Sequence, residues 1–484
     1  MDTPPPKPPA PKSTWYLPLL ILGVVGILVR LGAVFYLDFW HDELFSLDVA
    51  QLSYSEFEDF VADGEDFHPP GYYFFLQLIR MAGASGEIGL RVANLWWFVV
   101  PILGLGLYAR RIPESRMPTV VAVACIATGP SFVYHGAELR MYSMLLAWSS
   151  LGLIAAHLAA TTYRWRWFAV FGLASLAGAQ THYSSAVVST SIGLAILVTA
   201  PERVRAVRGC LLSALIVGLG LLPLLGVMKT QMAKDPAYTI SLYRSLLYIG
   251  LGVTVPLILV SLGLVSALGK RRDAASHSRT PESFTLGDFA LRAALLFGLT
   301  FLLIRALARL NLVNTGVALV PASWLILAAA FWIAPKLRSR MPMVLSGLIV
   351  VNLALTAALL HNPSVLTNNR LSTITKFRRL AKAAPYWRKN SSQRGIVHID
   401  WPRDNDHFRI KVANPANLKL VEYVRSDHPE NVAKKVGQLA ANGAEEILLI
   451  TRGRLTKPML AGLGHDVSIH RVSRGVAVVT RVVD

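Results

Sequence analysis

Four short clusters in this chain carry side chains able to do chemistry. They are Trp40-His41-Asp42-Glu43, Asp66-Phe67-His68-Pro69-Pro70-Gly71-Tyr72-Tyr73, Tyr134-His135-Gly136-Ala137-Glu138-Leu139-Arg140-Met141-Tyr142 and Gln180-Thr181-His182-Tyr183. Together they hold carboxylates, imidazoles and a guanidinium. A positioned carboxylate can take the proton of an attacking hydroxyl. A guanidinium grips a phosphate or carboxylate with a two-pronged fork, and imidazole N–H groups add hydrogen bonds to developing negative charge. Asp42, Glu43, His68 and Glu138 could also offer oxygen and imidazole ligands to a metal, but their spacing is too loose to diagnose one. No cofactor is required on this reading, and a divalent metal stays open.

Each cluster also has a plainer use. Asp42 suits the cap of a surface helix and Glu43 a solvated position. His68 fits a turn before two prolines, Glu138 and Arg140 a structural pair at a helix end, and His182 a satisfied histidine between helices. The first two clusters bracket an acidic stretch. Residues 38–68 hold ten of the chain's 29 acidic residues and no Lys or Arg, in a protein of net charge +19. The acids from Glu56 to Asp66 read as solvent-facing. Tyr72 and Tyr73 read as interfacial aromatics that anchor a surface helix.

The elements that must position these clusters are membrane helices. The 484 residues are 53% hydrophobic, and mean hydropathy is +0.46. Apolar runs lie near 16–36, 88–109, 118–133, 140–161, 165–180, 184–200, 210–228, 244–268, 289–310, 315–334 and 341–360. Most approach the roughly 20 residues needed to cross a bilayer. With Lys7 and Lys12 in the cytoplasm, the acidic stretch faces outward. Arg110, Arg111, Arg116, Arg164, Arg166, Arg203, Arg205, Arg208, Lys270, Arg271, Arg272, Lys336, Arg338 and Arg340 then fall inside, as the positive-inside rule asks. All four polar clusters lie at the outer surface. The run 69–83 is too short to span and reads as a helix lying on that surface, with Pro69 and Pro70 in its first turn.

The expected architecture is therefore mainly α: a polytopic bundle of about eleven transmembrane helices followed by a soluble α/β domain. Residues 1–14 form a disordered, Pro-rich cytoplasmic tail. Residues 15–360 form the membrane domain, with its first outer loop at 38–87. Residues 361–484 form an extracytoplasmic domain, with strands expected at 395–400, 445–450 and 475–480 and helices at 373–389 and 430–442. That domain has 21 Lys and Arg against 10 Asp and Glu, a charge that suits a solvated face or anionic lipid headgroups and glycans. Cys125 and Cys210 lie in apolar runs and read as core residues. No nucleic-acid motif and no cleaved signal peptide are expected.

At the polar clusters the chain resembles the C-type (GT-C) integral-membrane glycosyltransferases. The resemblance rests on DFWHDELFSLDVA, HPPGYYFFLQLIRMAG, EIGLRVANLWW, HGAELRMYSML and THYSS, in that order. It is nearest to the family 39 type, which includes protein O-mannosyltransferases, aminoarabinose transferases of lipid A and galacturonosyltransferases of the lipopolysaccharide core. It covers residues 15–200 by motif and the remainder by layout. It implies transfer of a sugar from a polyprenyl-phosphate carrier to a hydroxyl of a lipid, glycan or protein, at the outer face of a bacterial inner membrane. It puts the general base at Asp42; Glu43 beside it is a further catalytic candidate that could orient a partner or a metal. His68, Glu138, Arg140, Tyr142 and His182 would bind substrate. One departure stands out: the Arg-Tyr pair that often precedes a late-helix proline is missing before Pro321, where the chain reads Asn314-Thr315-Gly316-Val317-Ala318-Leu319-Val320. Arg305 or Arg309 could substitute. The competing readings are a transporter or flippase of a lipid-linked substrate, and a non-catalytic glycan-binding scaffold. The lack of a repeat and the one-sided polar clusters favour the enzyme.

Overall fold

A backbone surrounded by lipid must satisfy its N–H and C=O groups within each segment, so long apolar runs fold as helices. The computed structural model describes residues 14–37, 41–63, 66, 68–84, 86–234, 285–308, 317–336, 340–361, 394–399, 420–424, 430–441, 446–451, 467–473 and 476–481. The helices are α1 Leu17–Tyr36, α2 His41–Gln51, α3 Tyr54–Asp63, α4 Gly71–Met81, α5 Gly86–Asn94, α6 Trp96–Arg111, α7 Arg116–Thr128, α8 Pro130–Ala137 and α9 Tyr142–Thr162. They continue with α10 Trp165–Thr181, α11 Ser185–Thr199, α12 Arg203–Leu221, α13 Leu225–Lys234, α14 Leu286–Ala308, α15 Leu319–Ile333, α16 Met341–His361 and α17 Glu430–Ala441. The run 244–268 and the helix expected at 373–389 lie outside the described residues; the other apolar runs fall on helices.

The chain divides into two compact units. One is Met1–Tyr36 with Val49–Leu360; the other is Leu37–Asp48 with His361–Asp484. Among its described residues, the first has five helical spans long and apolar enough to cross a membrane: Leu17–Tyr36, Ile88–Arg111, Tyr142–Thr162, Arg203–Gln231 and Met341–Ala358. The third apolar run is not one straight helix. Its two halves, Pro113–Thr128 and Pro130–Ala137, bend by 58° and make a sixth candidate span as a pair. The break follows from Pro130, which lacks an N–H and sits at the start of α8, after the extended Gly129.

That break leaves carbonyls at the end of α7 without helical partners. Arg30 of α1 supplies them. Its guanidinium donates to the carbonyls of Ile126 (2.9 Å), Ala127 (2.8 Å), Phe132 (3.1 Å) and Gly26 (3.1 Å) and lies 3.6 Å over the Phe98 ring. Gly136 makes room for it, since a Cβ there would stand 2.5 Å from Arg30 Nε. From α16, Thr356 Oγ1 donates to the carbonyl of Thr128 at 3.0 Å, closing the other side of the break.

The C-terminal unit contains a five-stranded sheet in the order β2-β1-β3-β5-β4. Its strands are β1 Arg394–Ile399, β2 Leu420–Val424, β3 Glu446–Thr451, β4 Val467–Ser473 and β5 Val476–Arg481. β1 runs parallel to β2 and β3, whereas β5 is antiparallel to β3 and β4. α17 connects β2 to β3 and packs on β1, β2 and β3. β1, β3 and β5 carry apolar stretches at Ile396-Val397, Ile447–Ile450 and Val476–Val479, the pattern of inner strands. The short β2 and the polar edge strand β4 give no such signal.

Candidate active site

In the first unit, the loop before α4, the α8–α9 loop, the start of α9 and the α10–α11 turn bring five of the expected side chains, His68, Glu138, Arg140, Tyr142 and His182, into one largely buried cluster. Its centre is Asp66. The His68 Nδ1–H donates to both Asp66 oxygens, at 3.0 and 3.1 Å, and the Tyr73 hydroxyl donates to Oδ2. Burial pushes this carboxyl up, but His68, then Arg140 and Tyr73, outweigh it and hold the pKa at about 2. Asp66 is therefore ionised. An ionised carboxylate only accepts, so the His68 proton facing it is on Nδ1. The expectation that Asp66 faces solvent is wrong. So is that of Tyr72 and Tyr73 as interfacial anchors: both are fully buried. The acids Glu56, Glu58, Asp59 and Asp63 on α3 are exposed, as expected.

A string of ring contacts extends from His68. Its ring meets His182 edge to face at 5.2 Å, His182 lies 6.4 Å from Tyr142, and Tyr142 meets His135 at 5.3 Å. His135 Nδ1 stands 3.0 Å from Glu138 Oε2. Arg140 is buried and electrostatically linked to both Asp66 and His182. His182 is held well below the ordinary histidine pKa, by burial first and then by His68 and Arg140, with Asp66 opposing.

Neutral amides hold the loops in place. Asn94 of α5 donates to the backbone carbonyls of Glu138 (2.7 Å) and Arg140 (3.4 Å). Gln231 of α13 donates to the His68 carbonyl at 3.0 Å and accepts from the Tyr183 hydroxyl at 2.5 Å. Gln77 and Arg80 of α4 serve the terminal carbonyls of α2, Gln77 reaching Val49 at 2.8 Å and Arg80 reaching Gln51 at 3.1 Å. Gly71 allows α4 to start against the end of α10, because a Cβ there would stand 2.5 Å from the Gln180 carbonyl oxygen. The glycine of the HPPG motif is thus a packing position. Sequence reasoning missed Asn94 and Gln231, although Asn94 lies inside the quoted EIGLRVANLWW.

The cluster sits at one end of the helices, and Arg111, Arg116 and Arg166 lie at the other. α9 carries Tyr142 at its start and runs 21 residues, about 30 Å at 1.5 Å per residue, the thickness of a bilayer core. α10 ends at His182 and begins near Trp167, whose ring lies under Arg111 and Arg166 at 5.6 and 5.4 Å. Arg116 over Trp15 and Lys336 over Trp332 repeat that pairing, at 5.2 and 3.3 Å.

The chain is similar to known proteins, in sequence over part of its length and in fold. Residues 67–228 match the family model described as dolichyl-phosphate-mannose-protein mannosyltransferase. No curated protein matches the chain by sequence. Among solved structures, ArnT from Cupriavidus metallidurans bound to undecaprenyl phosphate has a TM-score of 0.52 at 14% identity, covering 97% of this chain and 98% of that one. The chain has the fold of this ArnT. The apo form of the same ArnT gives 0.51 at 14% identity, covering 97% and 99%. The archaeal oligosaccharyltransferase AglB from Archaeoglobus fulgidus is more distant, at 0.42 and 12% identity, covering 90% of this chain and 69% of that one.

Three further site residues were expected: Asp42, Glu43 and Arg305. Asp42 and Glu43 occupy the first turn of α2, where carboxylates complement the helix dipole, and Glu43 is buried. Ser46 Oγ donates to the Asp42 carbonyl at 2.9 Å. Both acids belong to the second compact unit. Arg305 lies on α14, and its side chain and all of Arg309 are outside the described residues. Among the described residues no group of three or more His, Cys, Asp or Glu is placed to hold a metal ion.

Proposed function

We propose that this protein transfers a sugar from a polyprenyl-phosphate-linked donor to a hydroxyl of a lipid, glycan or protein acceptor at the outer face of a bacterial inner membrane. The observation that carries the reading is the set of buried Arg140, buried His182 and half-buried His68 around ionised Asp66, at the helix ends opposite Arg111, Arg116 and Arg166, in a GT-C fold. Such a set suits the phosphate of a sugar donor, whose charge needs cations and N–H donors. The crystallised ArnT neighbour is bound to undecaprenyl phosphate.

The reaction balances simply. The acceptor oxygen bonds to the anomeric carbon, the bond from that carbon to the phosphate oxygen breaks, and its electron pair leaves on the lipid phosphate. The hydroxyl proton passes to a carboxylate. Asp66 is ill suited to that task, because its oxygens already accept from His68 and Tyr73 and its pKa is about 2. We assign the base to Asp42, on the strength of the sequence resemblance, with Glu43 beside it. The positive-inside pattern, with basic side chains over Trp15, Trp167 and Trp332, supports a cytoplasmic N-terminus and an extracytoplasmic C-terminal unit.

The test is turnover. The full chain in nanodiscs is supplied with a panel of undecaprenyl-phosphate sugars and hydroxyl acceptors, and release of undecaprenyl phosphate is measured for wild type and Asp42→Asn. Wild type should turn over at least one donor, and the variant should lose 100-fold or more, within the roughly 10²–10⁴ span of general base catalysis. Full turnover by Asp42→Asn removes it from that role. Inactivity of wild type with every pair sinks the enzyme reading.

A further inference from the structure

His182, in the turn between α10 and α11, receives two hydrogen bonds on one nitrogen. The backbone N–H of Ser184 donates to its Nδ1 at 3.1 Å, and the Ser184 hydroxyl lies 2.7 Å from the same atom. An amide N–H only donates, so Nδ1 is the bare, accepting nitrogen and the ring proton is on Nε2. That Nε2 is buried and meets no hydrogen-bond partner among the described residues. Native proteins keep few buried donors unsatisfied, and such a group at a functional cluster calls for a ligand oxygen.

Ser184 gives up its ordinary role to make this arrangement. It is the N-cap of α11, yet its hydroxyl makes no capping bond. The first amides of α11 are served by the backbone instead: Ser185, Ala186 and Val187 donate to the carbonyls of His182, Tyr183 and Ser184 at 2.9, 3.1 and 3.0 Å. The tight turn releases the hydroxyl, which a serine at this position normally spends on an amide two or three residues ahead.

We propose that Ser184 is a positioning residue: it fixes His182 in the tautomer with its proton on Nε2, so that His182 offers a neutral, directional hydrogen bond to a phosphate oxygen of the bound donor. This rests on the glycosyltransferase reading above. The phosphate is the fitting recipient because the same ring is faced by Arg140 from the α8–α9 loop and by His68 from the loop before α4. Asp66 opposes them, and Tyr142 of α9 and Tyr183 of the same turn complete the titratable surroundings. A second proton on His182 would turn Nδ1 into a donor facing the Ser184 amide, which can only donate, so protonation breaks that bond.

Three measurements on the full chain test this. First, ¹⁵N NMR of histidine-labelled wild type, with His182→Asn as the assignment control, reads the tautomer directly; a proton on Nδ1 overturns the proposal. Second, undecaprenyl phosphate is the binding probe. His182→Asn should weaken it roughly 10- to 100-fold, the usual worth of a hydrogen bond to a charged group. His182→Gln, whose amide N–H overlays Nε2, should be clearly milder, and equal losses in the two variants overturn the proposal. Third, Ser184→Ala should move the acid limb of binding to higher pH, because Nδ1 then takes a proton more readily, and Ser184→Thr should restore it. A wild-type pH profile in folded Ser184→Ala overturns the proposal even if sugar transfer is active. Binding that depends on His182 and Ser184 in this way, without transfer of any sugar, supports the proposal and defeats only the glycosyltransferase reading.

Discussion

The His68 Nδ1 lies 3.0 Å from Asp66 Oδ2, and the same carboxylate faces Arg140 and the Tyr73 hydroxyl. The pairing outweighs burial and holds the carboxyl at about 2, below its unfolded value near 4. The sign follows from that depression. The unfolded chain takes up the proton first, so the stability due to Asp66 is full above about pH 4 and is lost as the pH falls toward 2. The amount is about 2 kcal/mol. Thermal unfolding in detergent between pH 7 and pH 3 should therefore show a decline below pH 4 in wild type that is smaller in Asp66→Asn. Superimposable relative pH curves would show that the pair contributes nothing. At neutral pH the variant should also lose roughly 10- to 100-fold in kcat/KM, because the His68 orientation depends on that charge.

Gly71 begins α4 at the closest backbone approach near the site. A Cβ at this position would stand 2.5 Å from the Gln180 carbonyl oxygen and 2.9 Å from its carbon, and neither atom is the end of a flexible side chain. Gly71→Ala should cost about 1–3 kcal/mol, as overpacking does, and should depress turnover by displacing His68. Gly89 on α5 is the control. A Cβ there meets nothing nearer than 3.7 Å, so Gly89→Ala should be neutral or stabilise by roughly 0.5–1 kcal/mol. Comparable melting temperatures for the two variants would contradict the packing account.

Gln231 joins the Tyr183 hydroxyl to the His68 backbone carbonyl across 163 residues of sequence. Removing either partner leaves the amide half-satisfied, so the losses should not add. In a double-mutant cycle of Tyr183→Phe and Gln231→Leu, read as kcat/KM, a coupling energy of about 1 kcal/mol is expected. Strict additivity would show that the bridge does not hold His68.

The helices were legible because bilayer thickness sets a length that composition reveals directly, as in α1, α9 and α16. The gathering of His68, Arg140, Tyr142 and His182 was legible in part, since charge alternation alone puts their clusters at one surface. Asp66 was misread because it ends a run of exposed acids, and its burial depends on Tyr73 and Arg140, which local sequence does not reveal. Asn94 and Gln231 went unseen for a related reason. A neutral amide that holds a distant carbonyl has no pattern of its own until the fold brings the two together. The α7–α8 break did have a local signal in Gly129-Pro130, masked by the apolar residues on either side.

Arg30 is the counter-case to reading every intramembrane charge as part of a site. One Arg among the 20 residues of α1 leaves that span strongly apolar. The guanidinium is nonetheless buried and spends its donors on carbonyls of Gly26, Ile126, Ala127 and Phe132. Two of these are at the end of α7, where the helix dipole leaves partial negative charge that a cation offsets. Arg30→Met would keep the volume and strand those carbonyls away from water. Arg30→Lys would keep the charge but lose the planar fork, so it cannot reach all four. Both variants should be destabilised, the methionine one by about 3 kcal/mol or more and the lysine one by less. Melting of the purified chain in detergent gives the ranking. The folded fraction of Arg30→Lys should bind undecaprenyl phosphate with near wild-type affinity, because the residue supports the helix break and touches no substrate. A stable Arg30→Met that has lost only binding would instead put Arg30 in the site.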